Sequence, residues 1–132
     1  MPRFLSKKLV LALHQNQINT FGGSSGVRDM GLLDSALALP QQTFGGELLH
    51  PTIYEQAAAY LYHIAKNHPF IDGNKRTACA AMEIFLELNS YVLNLSDEEE
   101  IELVLQVAQG NMSKAELSAF LSKYVQQIER FS

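Results

Sequence analysis

The sequence predicts an all-α protein, a compact bundle of about six helices with one short β-hairpin. Apolar residues recur at helical spacing along most of the chain, and Ser or Thr stands three residues before Glu at three helix starts. Proline and most glycines fall between these periodic segments. With 132 residues and 47% apolar content, residues 1–132 are expected to form a single domain with its own core.

The first two helices are predicted from their ends. One should span residues 6 to about 18, before the Phe-Gly-Gly-Ser-Ser-Gly segment at 21–26. Asp29 is suited to cap a shorter helix that continues to Leu39. Pro40 should stop that helix because proline lacks a backbone N–H and clashes with the preceding turn.

The remaining helices combine capping signals with apolar stripes. Capping boxes are predicted at Thr52 with Glu55, Ser96 with Glu99 and Ser113 with Glu116, and a further helix is predicted over residues 74–88. The acidic run at 97–100 should open a helix, where it complements the helix dipole. The inward faces are predicted to be Ile53, Ala57, Tyr60, Leu61 and Ile64; then Ala78, Met82, Phe85 and Leu88; and finally Leu117, Phe120, Leu121, Tyr124, Val125 and Ile128.

Residues 40–51 do not fit a helix. Prolines bound this segment and the Gly45-Gly46 pair interrupts it, which favours a short hairpin that turns at the two glycines. Such a flap could offer a strand edge to an extended peptide. An ordinary surface loop is the alternative interpretation.

Charge and composition exclude several classes of protein. The net charge of −4 lies entirely in residues 96–132, whereas residues 1–95 carry seven acidic and seven basic side chains. This balance is unfavourable for non-specific nucleic-acid binding. No apolar stretch is long enough to span a bilayer, and the chain start does not have the pattern of a signal peptide. Cys79 is the single cysteine, which fits a reducing cytoplasm, and it is expected to be a small core residue.

The segment at residues 68–76, His-Pro-Phe-Ile-Asp-Gly-Asn-Lys-Arg, carries the chemistry. Lys75 and Arg76 fall at the start of a predicted helix, where free backbone N–H groups are already electropositive. The arrangement is unfavourable unless an anion binds there, and phosphate suits the geometry best. Asp72 is a candidate magnesium ligand and His68 a candidate general base. A solvated basic pair beside an ordinary turn is the alternative.

Residues 68–78 resemble the signature loop of the Fic/Doc superfamily, in the form typical of death-on-curing (Doc) toxins. The resemblance extends upstream to Gly-Val-Arg-Asp at 26–29, Gly-Leu-Leu-Asp-Ser-Ala at 31–36, Pro40 and Phe-Gly-Gly at 44–46. The resemblance runs from the first predicted helix to the last, and the nine-residue loop at 68–76 is highly specific. The fold that it implies, a helical bundle with a hairpin flap, agrees with the pattern of helix ends.

The resemblance implies a role for each matching residue. His68 would take a proton from a target hydroxyl, and Asp72 would hold Mg²⁺ on the phosphates of ATP, the co-substrate. Phe70 would anchor the loop in the core. The phosphate-binding residues would be Gly73, Asn74, Lys75 and Arg76, and the flap residues that align a protein substrate would be Thr43, Phe44, Gly45 and Gly46.

Two departures from AMP-transferring Fic enzymes favour phosphoryl transfer. Those enzymes usually carry Gly at the position of Lys75 and a second Arg at the position of Cys79. Doc-type proteins share the lysine and lack the second arginine, and they phosphorylate elongation factor Tu. The resemblance therefore implies transfer of a phosphoryl group to a protein hydroxyl, with elongation factor Tu or another translation factor as the target. AMP transfer is the first alternative.

Regulation and two weaker alternatives complete the expectations. The chain has no match to the inhibitory Ser/Thr-x-x-x-Glu-Gly/Asn segment of many Fic enzymes, so a separate antitoxin is expected to dock a disordered segment on the bundle. A catalytically inactive anion- or peptide-binding module is the second functional alternative. A metal site that uses His63 and His68 is disfavoured by their five-residue spacing, and His14 and His63 are expected to be partly buried helix residues.

Overall fold

The computed structural model describes residues 2–128 of the chain. This part contains six α-helices and two small antiparallel sheets. The helices are α1 Lys7–Phe21, α2 Met30–Ala38, α3 Ile53–Asn67, α4 Asn74–Leu88, α5 Asp97–Ala108 and α6 Lys114–Tyr124. The strands are β1 Thr43–Phe44, β2 Glu47–Leu48, β3 Tyr91–Leu93 and β4 Val125–Gln127. Within residues 2–128, no helix has the length and apolar character needed to cross a membrane. The predicted all-α bundle with a hairpin flap is confirmed.

Side chains cap the helices largely as predicted. Ser96 and Ser113 each form a complete capping box with the Glu three residues later. Thr52 forms only half of one: its hydroxyl accepts the Glu55 N–H, and no return bond from the Glu55 carboxylate is formed. Asp29 accepts the Leu32 N–H at 3.0 Å and caps α2, which ends at Ala38 before a 3₁₀ turn that contains Pro40.

Helix α3 lies at the centre of the bundle and contacts α2, α4, α5 and α6. Its residues Ala57, Tyr60, Leu61 and Ile64 are fully buried, as predicted. The Tyr60 hydroxyl accepts the Leu5 N–H at 2.9 Å, and burial raises the pKa of Tyr60 to about 12. The prediction for Leu88 at the end of α4 is wrong, since this side chain is 41% exposed.

The flap forms at the predicted place. Thr43 pairs with Leu48 and Phe44 with Glu47 across a two-residue turn. Both turn residues, Gly45 and Gly46, have positive φ, which is the conformation that a tight hairpin of this kind requires.

The sheet of β3 and β4 was not predicted. Its pairs are Tyr91 with Gln127, Val92 with Gln126 and Leu93 with Val125. The prediction that the stripe of the last helix continues to Ile128 is therefore wrong, because α6 ends at Tyr124 and the next three residues form β4. The strands gain their backbone hydrogen bonds from each other, and such a distant pairing leaves no mark on helical periodicity.

The acidic start of α5 is confirmed, but one of its carboxyl groups has an unexpected environment. Glu100 is 6% exposed and lies against Glu83 of α4, and one of its oxygens has no hydrogen-bond partner among the described residues. Burial, followed by the proximity of Glu83, raises the pKa of Glu100. The protonated carboxylic acid is therefore the favoured form in the folded protein.

Glu100→Gln is expected to stabilise the protein at alkaline pH. The raised pKa means that folding favours proton uptake, so the wild-type free energy of unfolding is highest below the ordinary Glu pKa and falls as the pH rises towards the folded pKa. The amide cannot ionise, and the variant should gain about 1–3 kcal/mol over the wild type at pH 8–9 but little at pH 4. Urea unfolding across this pH range measures the difference, with exposed Glu98→Gln as the control. A gain that is the same at every pH would contradict the argument.

Candidate active site

His68 follows directly on the last residue of α3. Its backbone lies in the left-handed region, with φ 48° and ψ 56°, a conformation that only one other non-glycine residue of the described chain shares. Pro69 follows, and the chain leaves the helix axis at this point. The His68 side chain is exposed, so a substrate can reach the imidazole.

The loop between α3 and α4 is anchored by Phe70. This side chain is fully buried, as predicted, and stacks on the His14 ring of α1 with ring centroids 3.8 Å apart. The His14 Nε2 donates to the Asp72 carbonyl oxygen at 2.8 Å. The Asn74 side chain accepts the Phe70 N–H at 2.9 Å and donates to the Phe70 carbonyl at 3.0 Å. The buried ring and these bonds hold the loop in one conformation.

These bonds change the expectation for Asn74. Both polar atoms of its amide are occupied by the Phe70 backbone, so in this structure the side chain supports the loop. Its backbone N–H, at the start of α4, is the group that remains available for an anion. The predicted phosphate contact of Asn74 would therefore be made by its backbone N–H, and it stays a prediction.

The Asp72 carboxylate is exposed and held by two backbone donors. One oxygen accepts the Gly73 N–H at 2.8 Å, and the other accepts the Ser24 N–H at 3.2 Å. The segment that follows α1 approaches this carboxylate so closely that a Cβ atom on Gly23 would stand 2.6 Å from it. Gly23 has φ +120°, so both its conformation and its surroundings require glycine.

The N-terminus of α4 has unsatisfied positive charge. Gly73 caps the helix with φ +75°, and the first helical bond runs from the Thr77 N–H to the Gly73 carbonyl. Within residues 2–128, the N–H groups of residues 74–76 have no acceptor, and neither Lys75 nor Arg76 is within ion-pair distance of a carboxylate. Instead, the Arg76 guanidinium lies 4.6 Å from the centre of the Phe21 ring.

Two other helices have a lysine as their first residue, and one of these lysines is paired with a carboxylate. Lys7, the first residue of α1, lies 3.0 Å from the Asp34 carboxylate. Lys114, the first residue of α6, donates to His63 Nε2 at 3.1 Å, and its first turn also contains Glu116. The first turn of α4 contains no acidic residue. The charge of Lys75 and Arg76 is thus left for a ligand to balance, and a phosphate is well suited to do so.

A dedicated metal cage is not found here. The described part of the chain contains no group of three His, Cys, Asp or Glu side chains that could hold a metal ion. A single exposed carboxylate beside a phosphate site nevertheless fits Mg²⁺, which commonly binds through one or two carboxylates together with substrate phosphates and water. Asp72 therefore has the chemistry that the predicted magnesium site requires, and its role stays a prediction.

His63 does not join His68. Its Nε2 lies 3.1 Å from the Lys114 Nζ, and burial, followed by the charge of Lys114, lowers the pKa of His63 to about 4. His63 thus accepts a hydrogen bond from the ammonium group of Lys114 on α6. This contact leaves its Nε2 occupied and gives no support to a metal site that uses His63 and His68.

The flap is not hydrogen-bonded to the loop, and the cavity near the flap is not lined by the loop. Phe44 is 80% exposed, and none of the flap's hydrogen bonds within residues 2–128 reaches residues 68–76. A cavity of about 500 Å³ lies between the start of α3 and α6, and its lining includes His50, Tyr54 and Lys114 but no residue of the loop. The role of Thr43, Phe44, Gly45 and Gly46 in aligning a substrate stays a prediction.

Several residues that support the loop were missed from the sequence. His14 and Phe21 lie on α1, and Ser24 and Arg28 lie between α1 and α2. Arg28 belongs to the Gly-Val-Arg-Asp stretch that carries the family resemblance, but its spacing suggested no role. Contacts that span 40 to 58 residues of chain are not visible as a local pattern.

The helical bundle and the loop between α3 and α4 define the class of protein. A sequence model of the Fic/DOC family matches residues 4–86, and the chain belongs to this family. It is 30% identical over 122 residues to the "Protein kinase doc" of Escherichia phage P1, an alignment that covers 92% of this chain and 94% of that protein. It is 51% identical over 73 residues to the "Toxin Doc" of Mycolicibacterium smegmatis, covering 55% of this chain and only 56% of that protein.

Proposed function

We propose that this protein is a Doc-type toxin that transfers the terminal phosphoryl group of ATP to a hydroxyl of a protein target. The observation that carries the proposal is the N-terminus of α4. Lys75 and Arg76 lie there next to free backbone N–H groups, and neither forms an ion pair with a carboxylate of the described residues. Asp72 lies two residues before the first residue of α4. Nucleotide phosphates supply the negative charge that this helix end lacks. The names of the two relatives, a toxin and a protein kinase, support the same class of activity.

The charged and titratable side chains of residues 68–76 each have a part in the proposed reaction. His68 accepts the proton of the target hydroxyl while its oxygen bonds to the γ-phosphorus, and the bond to the leaving ADP breaks. Lys75, Arg76 and the N–H groups of α4 stabilise the charge on the phosphate oxygens. Asp72 would hold Mg²⁺ at the nucleotide, and the ion would neutralise part of the phosphate charge. The chemistry depends on position and charge and needs no covalent intermediate.

The environment of Cys79 favours phosphoryl transfer over AMP transfer. The resemblance places a second phosphate-binding arginine of AMP transferases at this position. Here the side chain is half-buried, its sulfur lies 4.0 Å from the Glu100 carbonyl oxygen, and burial raises the pKa of the Cys79 thiol. A neutral, half-buried thiol cannot bind a phosphate as a guanidinium does. The site therefore lacks one of the contacts that AMP transfer would use.

Labelled nucleotides separate the two reactions. The purified protein is incubated with elongation factor Tu, Mg²⁺ and ATP labelled at either the α- or the γ-phosphate. We expect γ-label on the target and no α-label, with His68→Ala as the inactive control. Retention of α-label would assign AMP transfer instead. If neither label reaches elongation factor Tu or any protein of a bacterial extract, the proposed transferase activity is contradicted.

The same proposal includes a partner that restrains the toxin. The chain lacks the inhibitory segment by which many Fic enzymes block their own phosphate site, and the M. smegmatis relative carries the name of a toxin. We therefore include a separate antitoxin, which docks a segment that is disordered when free. We expect a bacterial host that expresses this protein without an antitoxin to stop growing, because the protein would act in the cytoplasm, where translation factors are found.

A further inference from the structure

The conformation of His68 requires support from elsewhere in the structure. Left-handed backbone is unfavourable for a residue with a Cβ atom, and His68 also ends a helix whose last carbonyl groups lack intrahelical partners. A non-glycine residue in this position can adopt other backbone conformations at a lower intrinsic free-energy cost. Neighbouring groups must therefore hold the general base of the proposed reaction in place.

Arg28 provides this support. Its Nε donates to the His68 carbonyl oxygen at 2.7 Å, and its Nη2 donates to the Asn67 carbonyl oxygen at 2.8 Å. One planar guanidinium thus bridges the last residue of α3 and the residue that follows it. The positive charge also lies at the negative end of the α3 dipole, where it is favourable.

The backbone around Arg28 is fixed to the same loop. The N–H groups of Arg28 and Asp29 both donate to the Pro69 carbonyl, at 2.7 and 3.0 Å. On the other side of Phe70, the Ile71 N–H donates to the Gly26 carbonyl at 3.1 Å. The guanidinium is therefore presented by a segment that is itself bonded to the loop on both sides of Phe70.

We infer that Arg28 is a positioning residue for His68: its bidentate contact with the carbonyl groups of residues 67 and 68 sets the backbone from which the imidazole projects. This inference rests on the proposed function only in taking His68 as the general base. Two of the five guanidinium N–H donors of Arg28 are bound to these carbonyl groups, which is the contact that the inference uses.

Arg28→Lys and Arg28→Ala test the inference. Lysine keeps the charge but lacks the planar fork whose Nε and Nη2 contact the two carbonyl groups, and alanine loses the charge and both contacts. We expect kcat for γ-phosphoryl transfer to fall by about 3–10-fold for Arg28→Lys and about 10–100-fold for Arg28→Ala, because small displacements of a reacting group are costly. The KM for ATP should change little, since the phosphate site is at the start of α4. Arg3→Lys and Arg3→Ala, at an exposed arginine with no described side-chain contact, are the matched controls.

A merely structural role is tested separately. Asp29→Ala removes the cap of α2 in the same segment without touching the carbonyl group of residue 67 or 68, so it should lower the melting temperature and leave kcat unchanged. A kcat loss in Asp29→Ala equal to that in Arg28→Ala would contradict the inference, as would an Arg28→Lys variant with wild-type kcat.

One measurement needs no activity at all. The His68 imidazole signals, assigned by NMR through their loss in His68→Ala, should shift in Arg28→Ala and Arg28→Lys but not in the Arg3 variants. Unchanged signals would overturn the inference even if the proposed transferase activity were established. Shifted signals in a protein without transferase activity would instead leave the positioning contact intact and remove the proposed function.

Discussion

His68→Ala is expected to reduce γ-phosphoryl transfer by about 10²–10⁴-fold, the usual contribution of a general base. The alanine variant should still bind Mg²⁺ and ATP, because the phosphate site belongs to α4 and not to the imidazole. Initial rates with γ-labelled ATP and titration calorimetry measure the two effects separately. Expression of the variant alone should also leave the growth of a bacterial host unaffected, whereas the wild type should arrest it.

His63→Ala is the matched control, because it removes a histidine of α3 whose imidazole contacts Lys114 and not the loop. It should retain both transfer and growth arrest. If His68→Ala arrests growth as the wild type does, the protein acts as a binding module and the transferase mechanism is wrong. If both histidine variants lose activity equally, the loss reflects damage to α3 and not the absence of a base.

The helix ends show what could be predicted from the sequence. Ser96 and Ser113 carry their capping partners three residues later, and the first residues of α5 and α6 follow directly from that spacing. Gly45 and Gly46 likewise mark the flap, since few other residues adopt two consecutive positive φ values. In each case the deciding interaction lies within four residues of chain.

Interactions between distant residues could not be predicted. Strand β4 forms because β3 supplies backbone partners, although the residues that follow Tyr124 fit a helical stripe in isolation. Glu100 belongs to the acidic run that predicted a helix start, and only the packing of α5 on α4 places it against Glu83. Both cases show tertiary contacts overriding a local pattern.

The candidate site divides in the same way. The residues that would touch the nucleotide stand together in the chain, because one loop and one helix start present them all. The residues that hold this loop, such as His14 behind Phe70 and Ser24 against Asp72, come from another part of the chain. The sequence therefore indicates the chemistry of the site, and the structure adds what makes its geometry definite.

Reversing both charges at the start of α4, with Lys75→Glu and Arg76→Glu, is expected to lower the affinity for Mg²⁺ and ATP by at least about 100-fold. The same double variant should melt about 2–4 °C higher than the wild type in the absence of nucleotide. Carboxylates complement the free N–H groups of a helix N-terminus, whereas the native cations oppose them. Titration calorimetry and thermal unfolding measure the two effects on one preparation.

Opposite changes in stability and affinity are the result that distinguishes a ligand site from ordinary surface charge. Lys8→Glu is the matched control, because Lys8 is an exposed cation in the first turn of α1, where no phosphate is proposed to bind. It should raise the melting temperature slightly and leave nucleotide affinity unchanged. If the double variant binds nucleotide as the wild type does, the phosphates do not lie at α4 and the proposed reaction loses its basis. If affinity falls without a gain in stability, Arg76 contributes to the free fold through its contact with Phe21, and Lys75→Glu alone should then show the gain.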